Sequence, residues 1–195
     1  MEDKKRKVLI VVDMQHDFVD GILGTPEAKT IVPKVDELIS NGEFDDIFYT
    51  FDTHYTQTYY NGLEGKSIPI HCAYGTHGWS LAIMHVPAYE KYAVVKKSFG
   101  ALNWFDIFNH AFSKGFYRYA EPSSDPFESI TIVGLCTDIC VVSNALILRA
   151  TFPDVPIICD ASCCAGTTPE NHKAALKVMK SCLIDIVNEE GSDNA

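Results

Sequence analysis

Five short apolar runs punctuate the 195-residue chain, at residues 8–12, 47–51, 93–95, 130–133 and 155–159, and none of them alternates cleanly between apolar and polar positions. A strand with one wet face must alternate, because successive side chains point to opposite sides of the sheet. Runs that are apolar on both sides belong to strands covered on both faces, the condition of a parallel sheet packed under helices. Helical patterns lie between them. Residues 31–39 place Val32, Val35, Leu38 and Ile39 near one face, and residues 137–150 are apolar almost all round, which predicts a central, buried helix. Thr168, Pro169 and Glu170 supply a cap, a first-turn proline and an early acid for a helix through 174–179. Strands alternating with helices predict an α/β fold with right-handed crossovers, a three-layer α/β/α arrangement around a mainly parallel sheet of five or six strands.

The chain shows no internal repeat, low-complexity tract or linker, so residues 1–195 read as a single domain. One stretch stands out. From about 53 to 90 there is no strand pattern but many Gly, Pro, His and Tyr residues, far beyond the usual connection of about 4–6 residues. It reads as an inserted loop region with a function of its own. The tail after Asn188 is expected to fray.

Charge narrows the function. Lys and Arg number 16 against 26 Asp and Glu, a formal charge of −10. Such a surface repels phosphate backbones and anionic lipid, which argues against nucleic-acid and membrane-surface roles. No apolar run approaches the roughly 20 residues that span a bilayer, and the charged start followed by a short apolar run lacks the features of a signal peptide. Seven cysteines, an odd number without an export signal, read as reduced thiols in a cytoplasmic protein rather than a disulfide framework.

In an open parallel sheet, ligands bind beyond the carboxyl ends of the strands. The predicted strand ends deliver Asp13, then Asp52 with His54 two residues on, then Lys96 and Lys97, then Gly134 followed by Cys136 and Cys140, and finally Asp160. A carboxylate, a carboxylate–imidazole pair, an amine and a thiol therefore meet at one edge. Cys140 falls near a helix N-terminus, where unpaired N–H groups stabilise a thiolate or receive an oxyanion. The plain alternative is a packed thiol on a buried helix; a further one is a Cys136–Cys140 redox couple. Asp13 reads either as a base or as a partner for loop backbone. One of Lys96 and Lys97 would sit beside the thiol while the other points to solvent. Asp52, His54 and His71, with Glu64 as a fourth, form an N/O donor set suited to a borderline divalent ion, against a reading as hydrogen-bonding loop residues. His16, His77, His85, His110 and His172 read as surface or structural. Phe18, Trp79 and Tyr74 are candidate linings for a flat-ring pocket.

Three segments, residues 11–18 (Val-Val-Asp-Met-Gln-His-Asp-Phe), 96–99 (Lys-Lys-Ser-Phe) and 134–141 (Gly-Leu-Cys-Thr-Asp-Ile-Cys-Val), resemble the signatures of the isochorismatase-like cysteine hydrolases. Phe51-Asp52-Thr53-His54 and the stretch holding Glu64, His71, Gly75 and Trp79 look like the nicotinamidase branch. The resemblance runs from about residue 8 to 176. It implies that Cys140 is the nucleophile, Asp13 the general base and Lys96, through the family spacing to Phe99, the cation that supports the thiolate. It further implies an oxyanion hole from the N–H groups of Cys136 and Cys140, with a cis peptide at Leu135–Cys136. Asp52, His54, Glu64 and His71 would hold a divalent ion, zinc foremost with iron or manganese as alternatives, and a pyridine ring would lie between Phe18 and Trp79. The implied reaction converts nicotinamide to nicotinate and ammonia through a thioester, placing the chain in pyridine-nucleotide (NAD) metabolism, with a homo-oligomer plausible by analogy. Cys136 departs from the small residue common at its position. Two other readings stand beside this one: a metal-free cysteine hydrolase of another small amide, ureide or carbamoyl compound, and a thiol redox or binding protein.

Overall fold

The computed structural model describes residues 4–85, 93–112 and 126–189. Six parallel strands form one sheet: β1 (Arg6–Val12), β2 (Asp46–Asp52), β3 (Ala93–Lys96), β4 (Phe127–Leu135), β5 (Ile157–Ala165) and β6 (Asp185–Val187), in the spatial order β3-β2-β1-β4-β5-β6. The helices are α1 (His16–Val19), α2 (Pro26–Asn41), α3 (Trp104–Phe112), α4 (Val142–Thr151) and α5 (Pro169–Ser181). They flank the sheet in three layers. Helix α2 packs on β4 and β5, α4 and α5 both touch β5, and α3 packs on α4.

The buried strands follow the sequence. All of Val8 to Val12 in β1 is 0% exposed, which is why the run never alternates. Helix α2 starts where its side chains dictate: Thr25 accepts from the Ala28 N–H at 3.0 Å and Pro26 opens the first turn. Thr168 caps α5 in the same way, accepting from Asn171. Two elements depart from the pattern read off the sequence. The fifth strand does not stop at Asp160; it runs on to Ala165 across an irregular register, with Ile132 opposite Cys159 and Gly134 opposite Cys164. The predicted helix at 137–150 divides into a π turn, Thr137–Val141, and α4.

Helix α3 and strand β6 lay outside the apolar runs and periodic segments of the sequence. Helix α3 closes an aromatic core in which Trp104, Phe108, Phe48, Phe127 and Phe152 are each 2% exposed or less. Each such ring contributes on the order of 1.5–3 kcal/mol by leaving water. The inserted region carries two single-turn 3-10 segments, Tyr59–Asn61 and Glu64–Lys66, and an isolated bridge from His54 to Ala73. Its last residues, 86–90, and the tail from 190 lie outside the described residues. All seven cysteines are free, six of them buried.

The strand order reverses between β1 and β4, so the crevice of this sheet opens beyond the ends of those two strands. Val12 pairs with Gly134 there. Gly134 has φ +116°, and a Cβ at that position would stand 2.1 Å from the Val12 carbonyl oxygen, so only glycine lets β1 and β4 close up where they deliver Asp13 and Cys136.

Candidate active site

Asp13, the residue after β1, has φ 45°, a left-handed conformation that Asp tolerates better than most residues. The bend drops its carboxylate into the sheet edge, where it is 0% exposed. Thr50 Oγ1 donates to Asp13 Oδ1 at 2.6 Å and accepts from the Asp13 N–H at 3.1 Å. On the other oxygen, Lys96 Nζ lies 2.7 Å from Asp13 Oδ2. The same ammonium is 3.6 Å from Cys140 Sγ and 3.5 Å from Asp52 Oδ1. Residues from β1, β2, β3 and the turn after β4 thus share one cation. Between the adjacent lysines, Lys96 is buried and Lys97 exposed; β3 alternates, which sends neighbouring side chains opposite ways.

The environment sets the charges. Burial pushes the Asp13 carboxyl above the ordinary carboxylate range, with Lys96 pulling against it. Burial, then the charge of Asp13, pushes the Cys140 thiol well above the usual thiol range, again opposed by Lys96. For Lys96, burial disfavours the charge, but Asp13, Cys140 and Asp52 overcome it and push the ammonium up. Burial therefore favours the neutral thiol at Cys140, while the ammonium of Lys96 favours the ionised form of the Asp13 carboxyl beside it.

Cys140 is held by the turn it sits on. The peptide between Leu135 and Cys136 is cis. The Val141 N–H reaches back five residues to the Cys136 carbonyl at 3.1 Å, and a turn of this kind leaves its leading N–H groups without partners inside the turn. Asn144, 0% exposed, donates to the Cys140 carbonyl at 2.8 Å and to the Phe99 carbonyl at 3.3 Å. Its Oδ1 accepts from the Ala101 N–H at 2.9 Å and from Trp104 Nε1 at 3.1 Å. All four hydrogen-bonding positions of the amide are filled, which ties the loop after Lys96 to the nucleophile turn. Asp138 accepts from the Thr167 N–H at 2.8 Å, and Thr137 Oγ1 lies 2.8 Å from His172 Nδ1, anchoring the turn to the start of α5.

Beside this cluster lies the N/O donor set. Asp52 Oδ2 is 3.0 Å from His54 Nε2 and 3.1 Å from His71 Nε2, and Glu64 Oε1 is 3.6 Å from each of those nitrogens. A tetrahedral zinc site with arms of about 2.0–2.1 Å has ligand–ligand edges of roughly 3.3 Å. The four contacts of 3.0–3.6 Å lie close to that separation, and all four donors fall within 4.8 Å of one another. The orientation of His71 also suits a ligand. Its Nδ1 lies 2.9 Å from the Pro69 carbonyl, and donation there leaves the Nε2 lone pair facing Asp52 and Glu64. Burial alone would raise the Asp52 carboxyl, but the hydrogen bonds of His54 and His71 and the charge of Lys96 hold it well below the carboxylate range. Gln15 fixes the backbone of Asp52, accepting from its N–H at 2.8 Å and donating to its carbonyl at 3.0 Å.

Both clusters open on one cavity of about 360 Å³, lined by Asp52, Glu64, His71, Cys136 and Cys140 together with Phe18, Leu23, Ile68, Phe99 and Ile139. Phe18 stands edge-on to His71 at 5.3 Å. Trp79 does not join it. Its Nε1 donates to Thr53 Oγ1 at 2.9 Å and its ring packs on Phe51 and Tyr74, so the indole satisfies its one donor outside the cavity. Tyr74 is 60% exposed and packs on Tyr55. The apolar wall opposite Phe18 comes instead from Phe99, Ile68 and Ile139. Among the described residues no second cluster of three or more His, Cys, Asp or Glu donors occurs. His16 and His85 bond Asp20 and Asp36 respectively.

Thr50, Gln15 and Asn144 were not among the residues picked out from sequence. Thr50 and Asn144 had a faint signal, a polar residue inside an otherwise apolar run or helix, where a buried donor or acceptor demands a partner; Gln15, between Met14 and His16, stands in no such run.

The family model of the isochorismatase domain matches residues 7–190. The pyrazinamidase of Pyrococcus horikoshii, solved in complex with zinc, is 26% identical with a TM-score of 0.71, covering 93% of this chain and 98% of that one. The pyrazinamidase/nicotinamidase of Streptococcus mutans is also 26% identical, with a TM-score of 0.69, covering 93% and 99%. The N-carbamoylsarcosine amidase of Thermoplasma acidophilum shares the fold at 21% identity and a TM-score of 0.66, covering 95% and 99%. No curated protein sequence matches the chain. Among the described residues, no helix is long and apolar enough to cross a membrane.

Proposed function

The chain belongs to the isochorismatase family, and from that premise we propose that it is a metal-dependent amidohydrolase of the nicotinamidase kind, converting nicotinamide to nicotinate and ammonia through a thioester on Cys140. One observation carries the reading: Cys140 Sγ stands 3.6 Å from an ammonium that is itself 2.7 Å from Asp13, and the same cavity is lined by Asp52, Glu64 and His71. The nicotinamidase and pyrazinamidase activities named for the two 26%-identical structures support it.

The charge of the cavity bears on the substrate. Its charged lining residues are Asp52 and Glu64, both acids, while the remaining wall is largely apolar. Among the described residues no Lys or Arg lines the cavity, so without a bound cation it offers no side-chain counter-ion to a carboxylate-bearing amide. A flat, neutral carboxamide fits that chemistry better than an N-carbamoyl amino acid, which favours this reading over a metal-free carbamoyl hydrolase. The redox reading has less support, since burial pushes the Cys136 thiol up to about 12, where it supplies little thiolate.

Asp52, His54, Glu64 and His71 would hold the divalent ion, zinc foremost, with iron or manganese compatible with the same donors. When bound, such an ion supplies positive charge that orients a ring nitrogen and polarises its surroundings. The chain's own residues do the rest. Cys140 adds its sulfur to the carboxamide carbon as its proton passes to Asp13. Lys96 remains an ammonium and holds Asp13 and the sulfur in place. The developing oxyanion takes hydrogen bonds from the N–H groups of Cys136 and Cys140, donors worth about 2.7–4 kcal/mol each in comparable sites. Collapse breaks the C–N bond, and ammonia leaves with the proton held by Asp13. Water then adds to the thioester, giving a proton back to Asp13, and the carboxylate product departs as the Cys140 sulfur is released and reprotonated.

Ammonia release from nicotinamide by the purified protein, measured beside its metal content, tests the proposal. Stoichiometric metal and turnover that chelation abolishes are expected. Full turnover after complete metal removal, or hydrolysis of carbamoyl compounds with none of nicotinamide, would overturn it.

A further inference from the structure

A second cavity, of about 620 Å³, lies between α2 and α5 above the end of β5. Its volume falls within the range of small-molecule sites. Residues from α2 and α5 form its walls, and Ala161, Ser162, Cys164 and Ala165 of β5 contribute to its lining. Four lysines line it, Lys34 on α2 and Lys173, Lys177 and Lys180 on α5, against two acids, Glu27 and Glu189. Lys180 and Glu189 pair with each other. Among the described residues, Lys34, Lys173 and Lys177 have no ion-pair partner within 4.0 Å, in a protein whose acids outnumber its bases 26 to 16.

Lys5, Lys29, Lys66 and Lys97 also lack an ion-pair partner among the described residues, so what sets Lys34, Lys173 and Lys177 apart is that they converge on one cavity. With Lys180 and Glu189 paired to each other, these three lysines face a single remaining acid, Glu27, which gives the groove a local positive potential, raised further by the low-dielectric walls of α2 and α5. The spacing is specific too. Lys173 and Lys177 are four residues apart on one helix, so they project from the same face about one turn, roughly 6 Å, from each other. Lys34 faces them from the other helix. Three ammonium groups around a slot, two on one side at a turn's spacing and one on the other, match a short linear polyanion better than a single small ion.

We propose that this groove is a binding site for a small polyphosphate-bearing ligand, its phosphate chain lying along Lys173 and Lys177 and bridged by Lys34. The source is either a free oligophosphate or the phosphate chain of a nucleotide; both present the same charges. This site is separate from the Cys140 cavity and does not depend on the amidase reading.

Calorimetric titration with sodium tripolyphosphate, and in parallel with ATP, at low and at moderate salt tests it. One saturable site per chain is expected, weakening with salt, with K173Q/K177Q binding at least tenfold more weakly at an unchanged melting temperature and K173R/K177R retaining affinity. Equal affinity for the two probes assigns the site to the phosphate chain alone, and tighter ATP binding shows that the groove also seats the nucleoside. No saturable binding, or binding unaffected in K173Q/K177Q, would overturn the proposal. Heat from chelation of a metal at Asp52 would persist in that variant and so counts against it. Because both lysines are exposed, the variants are expected to fold.

Discussion

The ammonium of Lys96 lies 2.7 Å from the Asp13 carboxylate, and the two side chains are 1% and 0% exposed. A pair so deeply enclosed has no water to take over when one member is lost. Its net worth to stability is small, because desolvation offsets attraction, but removing one partner leaves the other charged and buried, typically costing 3–5 kcal/mol. Lys96→Met is therefore expected to lower stability by about that amount and to reduce turnover by more than a hundredfold. Chemical denaturation and ammonia-release assays on the same preparation check both. An unchanged unfolding midpoint would show that the pair is not enclosed as described.

The resting protonation of the site predicts how its reactivity depends on pH. The Cys140 thiol lies well above its ordinary 9.0, chiefly through burial. Only the thiolate alkylates, so the rate of Cys140 modification by iodoacetamide should still be climbing at pH 9. A plateau below pH 7 would indicate a preformed ion pair instead. On the acid side, Asp13 must be ionised to take the thiol proton. Its carboxyl is raised above 3.8, so kcat/KM should fall as pH drops, with an apparent midpoint above that value. That midpoint belongs to the coupled cluster rather than to Asp13 alone.

Metal binding should rank the four donors by their enclosure. Asp52 Oδ2 touches both imidazoles and is 5% exposed, whereas Glu64 is 20% exposed and 3.6 Å from each. Asp52→Ala is expected to abolish stoichiometric metal, and Glu64→Gln, which keeps a neutral oxygen donor in place of the more exposed carboxylate, to weaken it without abolishing it. Elemental analysis after dialysis against a graded chelator reads the difference. Equal retention by the two variants would contradict this geometry.

Asn144 should behave as a positioning residue. Asn144→Ala removes four hydrogen bonds, two of them holding the Phe99 and Cys140 carbonyls. Loss of buried partners costs on the order of 1–3 kcal/mol each before relaxation. The variant is expected to lose kcat by tenfold or more while KM changes little, because the amide holds the backbone of the turn that carries the sulfur and does not itself line the cavity. A rise in KM at constant kcat would argue against that role.

What the sequence made legible follows physical rules. Strand ends were readable because a fully apolar run that stops at Asp13 or Lys96 must stop at a sheet edge. The order of the sheet then gathers those ends at one crevice. The full length of β5 was not legible, because polar Asp160 and Ser162 interrupt the run: they bond each other at 2.7 Å, and Asn188 donates to Asp160, so the strand continues where its pattern breaks. Strand β6 escaped notice because three residues at an edge leave no pattern. Trp79 was expected in the cavity on ring chemistry alone. Its place was decided by the indole N–H, whose partner on Thr53 is close in space but not apparent from sequence spacing. Asn144 was visible only as a lone amide in an apolar helix, and nothing local says that its partners come from residues 99–104.

The central claim is that Cys140 forms a covalent acyl intermediate. Intact-mass analysis of enzyme quenched in acid during turnover of nicotinamide tests it most directly. The account predicts a mass gain of one nicotinoyl group on Cys140, absent from Cys140→Ala, which should release no ammonia above background. Turnover by Cys140→Ala at a rate approaching the native protein, with no adduct in either, would contradict it.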